Sequence, residues 1–243
     1  MMEQLKAMIP QRRSVRSYLP EPVDEATMAD IRAFMDGLTP LIPGAPTAAR
    51  IIETSQASFL QKWRNPQFLC LYADEGDDAL INVGYMYQQL DLYLQSLGLG
   101  ACWVGLGWPD EKQLPPPEGM KLAVMMAFGR PDDAPLRTGA DDFKRRTMEE
   151  IADLPDVRLE AARLAPSATN SQPWYFTHDG DVLHLFREEL KLLKKRTHGR
   201  MNPIDMGIML AHLYVSCPDS FAFFRPEERP EKEGYVYVGS VRL

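Results

Sequence analysis

The chain has 243 residues, of which 45% are hydrophobic and 25% are charged, and its formal net charge is −7. Such a chain can bury one large core or two smaller ones, and its acidic balance argues against a nucleic-acid binder, which would present a basic face. No apolar run reaches the length of a membrane span and residues 1–11 lack the apolar stretch of a signal peptide, so we expect a cytoplasmic protein that binds no membrane.

A basic segment follows the first predicted helix, residues 3–9, which Pro10 ends. Arg12, Arg13, Ser14 and Arg16 place three guanidinium groups and a hydroxyl close together. Arginine forks match phosphate oxygens, and a serine hydroxyl adds a neutral donor. The segment is therefore either an anion site or a solvated basic patch.

The next predicted elements are a capped helix and a loop. Asp24 and Gly37 suit the two ends of a helix over residues 24–35. Residues 39–46 are rich in proline, so we expect them to form a loop and not part of a helix or strand.

Two buried strands and a long helix are predicted next. Residues 67–73 and 121–128 have the pattern of buried strands, and residues 82–97 carry the strongest helical stripe in the chain. The glycines of residues 98–108 do not form a dinucleotide fingerprint, because no strand precedes them and no helix opens there. We interpret this stretch as a strand or loop whose glycines let the backbone lie close to a flat chemical group.

The second part of the chain contains a rigid polar loop. A helical pattern over residues 157–164 opens at Asp156, and a strand that starts at Trp174 turns at residues 179–180. Between them, Pro166 and Pro173 exclude a helix. The loop, residues 165–174, can present amides and hydroxyls to a ligand with little entropy left to lose, or it can be an ordinary helix-to-strand connection.

Metal chemistry is not indicated. The three cysteines, Cys70, Cys102 and Cys217, contain no CxxC pair, and the histidines show no metal-ligand spacing. We interpret the cysteines as buried thiols in a reducing compartment and expect any cofactor to be organic.

Two segments together resemble a known family. Residues 166–174 resemble the Pro-Ser-x-x-Asn-x-Gln-Pro-Trp signature of the nitroreductase family of flavin mononucleotide (FMN) enzymes, and residues 12–16 resemble its first signature. In ordinary members the two signatures lie close together in the chain and the flavin sits at a dimer interface. Here about 150 residues separate them, so the chain is similar to the tandem branch, in which one polypeptide supplies both contributions.

The resemblance implies an α+β fold with a central, mostly antiparallel sheet flanked by helices. It also implies two pseudo-repeated halves in one chain, residues 1–142 and residues 143–243, packed as one unit. A late strand is expected over residues 234–241, and a helix over residues 205–215.

The resemblance also implies a set of FMN ligands and no catalytic side chain. The basic residues would hold the phosphate, residues 166–170 would meet the ring, and the backbone of residues 104–105 would face the ring's N5. Gln172 and Trp174 would brace the loop. The expected cofactor-binding residues are Arg12, Arg13, Ser14, Arg16, Val104, Gly105, Lys144, Arg146, Pro166, Ser167, Ala168 and Asn170.

The expected function is that of an FMN-dependent nitroreductase. NADH or NADPH would reduce the flavin, and a small electron-poor acceptor such as a nitroaromatic or quinone would reoxidise it by a ping-pong mechanism. Each chain would hold one FMN, so a monomer suffices, and the sequence leaves a homodimer open. The alternatives are a flavin-binding protein without turnover, a relative with specialised chemistry such as reductive dehalogenation or flavin cleavage, and a structural protein without a ligand.

Overall fold

The structure is a computed structural model that describes residues 1–60, 63, 66–133, 136–190 and 199–243. The helices of these residues are α1 (Met2–Met8), α2 (Glu25–Asp36), α3 (Asp77–Ser96), α4 (Met148–Ile151), α5 (Glu160–Leu164) and α6 (Met201–Ser216). The strands are β1 (Thr47–Ile52), β2 (Ala57–Phe59), β3 (Gln67–Ala73), β4 (Gly100–Val104), β5 (Gly107–Pro109), β6 (Lys121–Gly129), β7 (Trp174–Asp179), β8 (Val182–Glu188), β9 (Ala222–Phe224) and β10 (Tyr235–Arg242).

The strands form two four-stranded antiparallel sheets instead of the single central sheet that the sequence suggested. The first has the order β1-β3-β6-β4 and the second the order β7-β8-β10-β9, while β2 and β5 pair separately. The α+β class and the antiparallel pairing are therefore confirmed, and the expectation of one central sheet is corrected to two.

Helices α3 and α6 cross in the middle of the molecule. Almost every side chain of both helices is buried, as expected of helices that contact other elements on all sides. The main apolar cluster joins these two helices to residues of both sheets, such as Leu69 and Met126 of the first and Leu183 and Val241 of the second.

The two helices approach closely because each has a glycine at the crossing. A Cβ atom added to Gly84 would lie 2.0 Å from the backbone oxygen of Ile204, and one added to Gly207 would lie 2.0 Å from that of Ile81. No side chain fits in either place, so the crossing depends on both glycines.

Most predicted elements are confirmed with small shifts at their ends. Strand β3 has the predicted bounds, Asp24 caps α2 by accepting a hydrogen bond from the Thr27 amide, and β7 begins at Trp174. The two long helices begin earlier than expected, α3 at Asp77 and α6 at Met201. Among the described helices, none combines the length and apolarity needed to cross a bilayer.

We expect Gly84→Ala to lower the free energy of unfolding by about 3 kcal/mol, because the added methyl group would meet the α6 backbone, which cannot rotate away as a side chain could. Urea denaturation measures the change. Gly139→Ala is the matched control, since a Cβ atom there would meet nothing within 4 Å. Equal losses for the two variants would contradict the close crossing.

Candidate functional site

Three segments that are distant in sequence line one open cleft. Its volume is about 770 Å³, within the range of small-molecule and cofactor sites. The first basic segment, the stretch around residues 136–145 and the polar loop after α5 all contribute. The lining residues are Arg12, Arg13, Ser14, Arg16, Leu136, Arg137, Thr138, Asp142, Lys144, Arg145, Pro166, Ser167, Thr169 and Asn170.

A buried ion pair fixes the first segment. Arg12 is 2% exposed and its Nε lies 3.1 Å from Oδ2 of Asp91, which is fully buried on α3. The Asp91 carboxylate also accepts hydrogen bonds from the side chains of Gln88 and Gln95, and Gln95 accepts one from the Arg13 amide. Because a buried charge without a partner is costly, this pairing determines where Arg12 lies.

The same network continues to α6 and α5. The carbonyl oxygen of the Gln88 side chain accepts a hydrogen bond from the Trp103 indole, and its amide nitrogen lies 3.2 Å from Nε2 of His212. The His212 Nδ1 lies 3.0 Å from the Ala161 carbonyl, which can only accept. Burial and the nearby Arg12 lower the pKa of His212 to about 3, so the ring is neutral, with its proton on Nδ1.

A second basic segment, Lys144, Arg145 and Arg146, brings a different arginine to the cleft from the one expected. Arg145 lines it, and its guanidinium hydrogen-bonds the Leu164 carbonyl and the Asn170 side chain. Arg146 points elsewhere and pairs with Glu188. Burial, with the repulsion of Arg12 and Arg137, lowers the pKa of Arg145 to about 10.

The polar loop is held by its own side chains. Three residues other than glycine, Thr169, Asn170 and Gln172, have positive φ angles of 53°, 58° and 46°. This conformation is costly for such residues and is found where surrounding contacts impose it. Here the buried Gln172 accepts a hydrogen bond from the Arg146 amide and donates one to the Arg163 carbonyl, as expected of a bracing residue.

Asn170 is engaged within the protein on both ends of its amide. Its nitrogen donates to the Lys144 carbonyl at 2.8 Å and its oxygen accepts from Arg145. The side chain thus ties the loop to the second basic segment.

A buried carboxyl supports the loop from α6. The Oδ1 atom of Asp205 accepts a hydrogen bond from the Ala168 amide at 2.9 Å, while its buried Oδ2 has no partner among the described residues. Burial raises the pKa of Asp205 to about 8, although the hydrogen bond from the Ala168 amide by itself lowers this pKa. At neutral pH the carboxyl therefore holds a proton.

The lining is strongly cationic in an acidic protein. Six lysine and arginine side chains and one carboxylate, that of Asp142, line the cleft. Arg12 and Arg13 are paired with Asp91 and Asp133, which lie outside the lining, so three positive charges have no compensating carboxylate. Asp142 is itself engaged, because it accepts hydrogen bonds from the amide and hydroxyl of Thr138. A cleft with this balance suits an anionic ligand.

Eight of the twelve expected residues line the cleft: Arg12, Arg13, Ser14, Arg16, Lys144, Pro166, Ser167 and Asn170. Four do not: Arg146, which pairs with Glu188; Ala168, whose amide is bonded to Asp205; Val104, which is buried in a separate apolar cluster; and Gly105, which is exposed. Six further lining residues were not predicted from the sequence: Leu136, Arg137, Thr138, Asp142, Arg145 and Thr169. Thr169 lies inside the second signature and Arg145 lies between the expected residues Lys144 and Arg146, whereas Arg137 is isolated in sequence and carries no pattern.

One family model matches most of the chain. The family model described as "Putative TM nitroreductase" matches residues 4–217. A putative nitroreductase from Thermotoga maritima MSB8 is similar in structure, with 22% identity and a TM-score of 0.65 over 98% of this chain and 91% of that one. At that identity the likeness concerns the fold alone.

Two further solved structures are similar over part of the chain. A putative NADH dehydrogenase/NAD(P)H nitroreductase from Parabacteroides distasonis ATCC 8503 is 19% identical, with a TM-score of 0.48 over 61% of this chain and 96% of that one. An FMN-dependent nitroreductase from Clostridium difficile R20291 is 14% identical, with a TM-score of 0.48 over 60% of this chain and 99% of that one. No curated protein matches the sequence.

We expect the raised pKa of Asp205 to make the protein less stable as pH rises. Between the ordinary value of 3.8 and about 8, the native state binds a proton that the unfolded state has lost. The free energy of unfolding should therefore fall through this window, by up to about 1.4 kcal/mol per pH unit from this group.

Asp205→Asn should remove this contribution. The free energy of unfolding of the variant, measured relative to that of the unchanged protein at the same pH, should therefore increase between pH 4 and pH 8. Urea denaturation at several pH values measures it, with Asp36→Asn, an exposed position, as the control. Parallel pH profiles for Asp205→Asn and the unchanged protein would show that Asp205 is ionised.

Proposed function

This chain belongs to the family described as putative TM nitroreductases, and we propose that it is an FMN-dependent oxidoreductase. Its reductant would be NADH or NADPH, and its acceptor a small electron-poor molecule such as a nitroaromatic or quinone. The family makes the protein an oxidoreductase; the identity of the cofactor, reductant and acceptor is the proposal.

The observation that carries the proposal is the composition of the cleft. Both segments that resemble the nitroreductase signatures line it, although about 150 residues separate them in sequence. The cationic side chains other than that of Arg12, together with the Ser14 and Ser167 hydroxyls, form a donor set that fits a phosphate ester. Proline and leucine side chains, Pro166 and Leu136, supply apolar contact for a ring.

Several residues would hold the phosphate of FMN. Arg16 and Ser14 are available at the surface of the first segment, and Lys144 and Arg145 approach from the second. Arg12 would position Ser14 and would not bind the phosphate itself, because its guanidinium is buried, is paired with Asp91 and donates a hydrogen bond to the Ser14 hydroxyl.

The polar loop would hold the flavin ring. Ser167 lies at its start, and Pro166 precedes it with a rigid apolar face. Asn170 would act on the ring through the shape of the loop, because its amide is bonded to Lys144 and Arg145. The positive φ angles that these contacts impose leave the loop little freedom to lose on binding.

When bound, FMN would supply the redox chemistry, by taking a hydride from NADH or NADPH and giving electrons to the acceptor. The protein would hold the cofactor and present one open face to reductant and acceptor in turn, which gives ping-pong kinetics. Cationic side chains in the cleft would stabilise negative charge that develops there. No side chain of the cleft is needed as a nucleophile or proton donor.

We also propose that residues 1–142 and 143–243 are two fused nitroreductase-like halves, so that a single chain forms the site. Strands of the first sheet come from residues 47–129 and those of the second from residues 174–242. The crossing of α3 and α6 supports a local twofold relation. Gly84 lies against the backbone of Ile204, three positions before Gly207, and Gly207 lies against the backbone of Ile81, three positions before Gly84.

The absorbance spectrum of the purified protein tests the proposal. We expect a yellow protein that releases one FMN per chain on heat denaturation and whose visible band is bleached within minutes by NADH or NADPH without oxygen. A band that persists for hours would indicate flavin binding without turnover. A protein that remains colourless after FMN is added would contradict the proposal.

Replacing Arg16 should weaken FMN binding selectively. A charge-assisted hydrogen bond is worth about 1.5–3 kcal/mol, so Arg16→Gln should raise the FMN dissociation constant roughly 10- to 150-fold. Riboflavin, which lacks the phosphate, should bind the variant and the unchanged protein alike. Fluorescence titration with both flavins measures this, and Arg32→Gln, an exposed arginine outside the cleft, is the control. Equal losses for FMN and riboflavin would show that Arg16 does not contact the phosphate.

A further inference from the structure

The positive charge of the cleft exceeds what one cofactor phosphate would neutralise. A phosphate monoester carries about −1.5 to −2 at neutral pH. Three positive charges of the lining have no compensating carboxylate, so about one remains once such a group is bound. Because the chain as a whole is acidic, this excess is a local feature of the cleft.

Arg137 is the part of this excess that lies outside both the first basic segment and residues 144–146. Its backbone amide donates to the Gln11 carbonyl at 2.6 Å, and its Nε donates to the Arg12 carbonyl at 3.2 Å. The guanidinium carbon lies 4.3 Å from the centre of the Phe143 ring. Nη1 donates to the Asp142 carbonyl, whereas Nη2 makes no hydrogen bond to the described residues. These contacts fix the orientation of a half-buried fork with one free nitrogen.

Arg137 and Arg145 form no ion pair with a carboxylate among the residues that the structure describes. The carboxylate of the cleft itself, that of Asp142, accepts hydrogen bonds from Thr138. Burial and the repulsion of Arg12 lower the pKa of both arginines. A bound anion would relieve this repulsion, and each arginine would gain a partner.

We propose that Arg137 belongs to a second anion subsite of the cleft, which binds the 2′-phosphate of NADPH, so that NADPH is the preferred reductant. This inference rests on the proposed function for the choice of ligand. NADPH and NADH differ only in that phosphate monoester, and a fixed arginine fork matches phosphate oxygens well. Arg13 also lines the cleft, and it is paired with the exposed Asp133.

The kinetic test compares the two nucleotides. We expect kcat/KM for NADPH to exceed that for NADH by at least tenfold in the unchanged protein. Arg137→Gln should bring the ratio close to one, whereas Arg32→Gln should leave it unchanged. Flavin content and melting temperature, measured on each variant, show whether it is folded and loaded. Equal kcat/KM values for NADPH and NADH in the unchanged protein would overturn the proposal.

A binding test separates this inference from the proposed function. Calorimetric titration with 2′,5′-ADP and with 5′-AMP requires no turnover, and we expect 2′,5′-ADP to bind at least tenfold more tightly to the FMN-saturated protein. The difference should disappear in Arg137→Gln. If FMN instead displaces 2′,5′-ADP, the cleft has one anion site and the inference is wrong.

If neither nucleotide bleaches the flavin, the proposed reductase activity fails, and the titration still decides the second subsite. If FMN does not bind at all, the same titration is made on the protein alone. Tighter binding of 2′,5′-ADP that depends on Arg137 would then support the subsite, and equal binding of the two nucleotides would contradict it.

Discussion

The pairing of Arg12 with Asp91 is the constraint on which the cleft depends. It takes a cation from the N-terminal segment into the interior and places it against the central helix α3. Gln88 and Gln95 donate hydrogen bonds to the Asp91 carboxylate, which a buried charge requires, and His212 in turn contacts Gln88. The network also connects α3 with α6 and α5, so the position of the basic segment is set by the core of the protein and not by the surface.

The polar loop on the other side of the cleft is fixed by a complementary set of contacts. Gln172 accepts a hydrogen bond from the Arg146 amide, and Asn170 donates one to the Lys144 carbonyl. Asp205 on α6 accepts a hydrogen bond from the Ala168 amide of the loop. Each of these side chains is bound within the protein and shapes the backbone that faces the cleft. The loop is thus rigid before any ligand arrives, which lowers the entropy that binding costs.

Local signals predicted the elements well. Strand β3 is apolar over its whole length, Asp24 is a strong N-cap residue, and the turn after β7 contains an Asp-Gly pair, so short-range chemistry sufficed in these places. The start of α3 was missed because Asp77 and Asp78 lie before the apolar stripe begins, and their partners, Arg187 and Arg225, are more than a hundred residues away.

The candidate site was predictable only where residue type and order carry information. The two signatures identified the first basic segment and the polar loop. Whether Arg145 or Arg146 faces the cleft depends on the direction of the backbone there, which the hydrogen bond from the Arg146 amide to Gln172 fixes. Arg137 could not have been found, because its place beside Arg12 arises from a tertiary contact with Gln11. Likewise the pairing of strands into two sheets depends on contacts between distant residues, which a sequence pattern does not record.

The nearly complete burial of α3 has a consequence for the synthesis of the protein. This helix ends at Ser96, whereas α6, which covers one of its faces, begins at Met201. Because the ribosome adds about 5–20 residues per second, roughly 5–20 s pass between the synthesis of α3 and that of α6. During that interval the nascent chain exposes the surface that later becomes its core, and a chaperone or a rapid provisional collapse has to protect it from other chains.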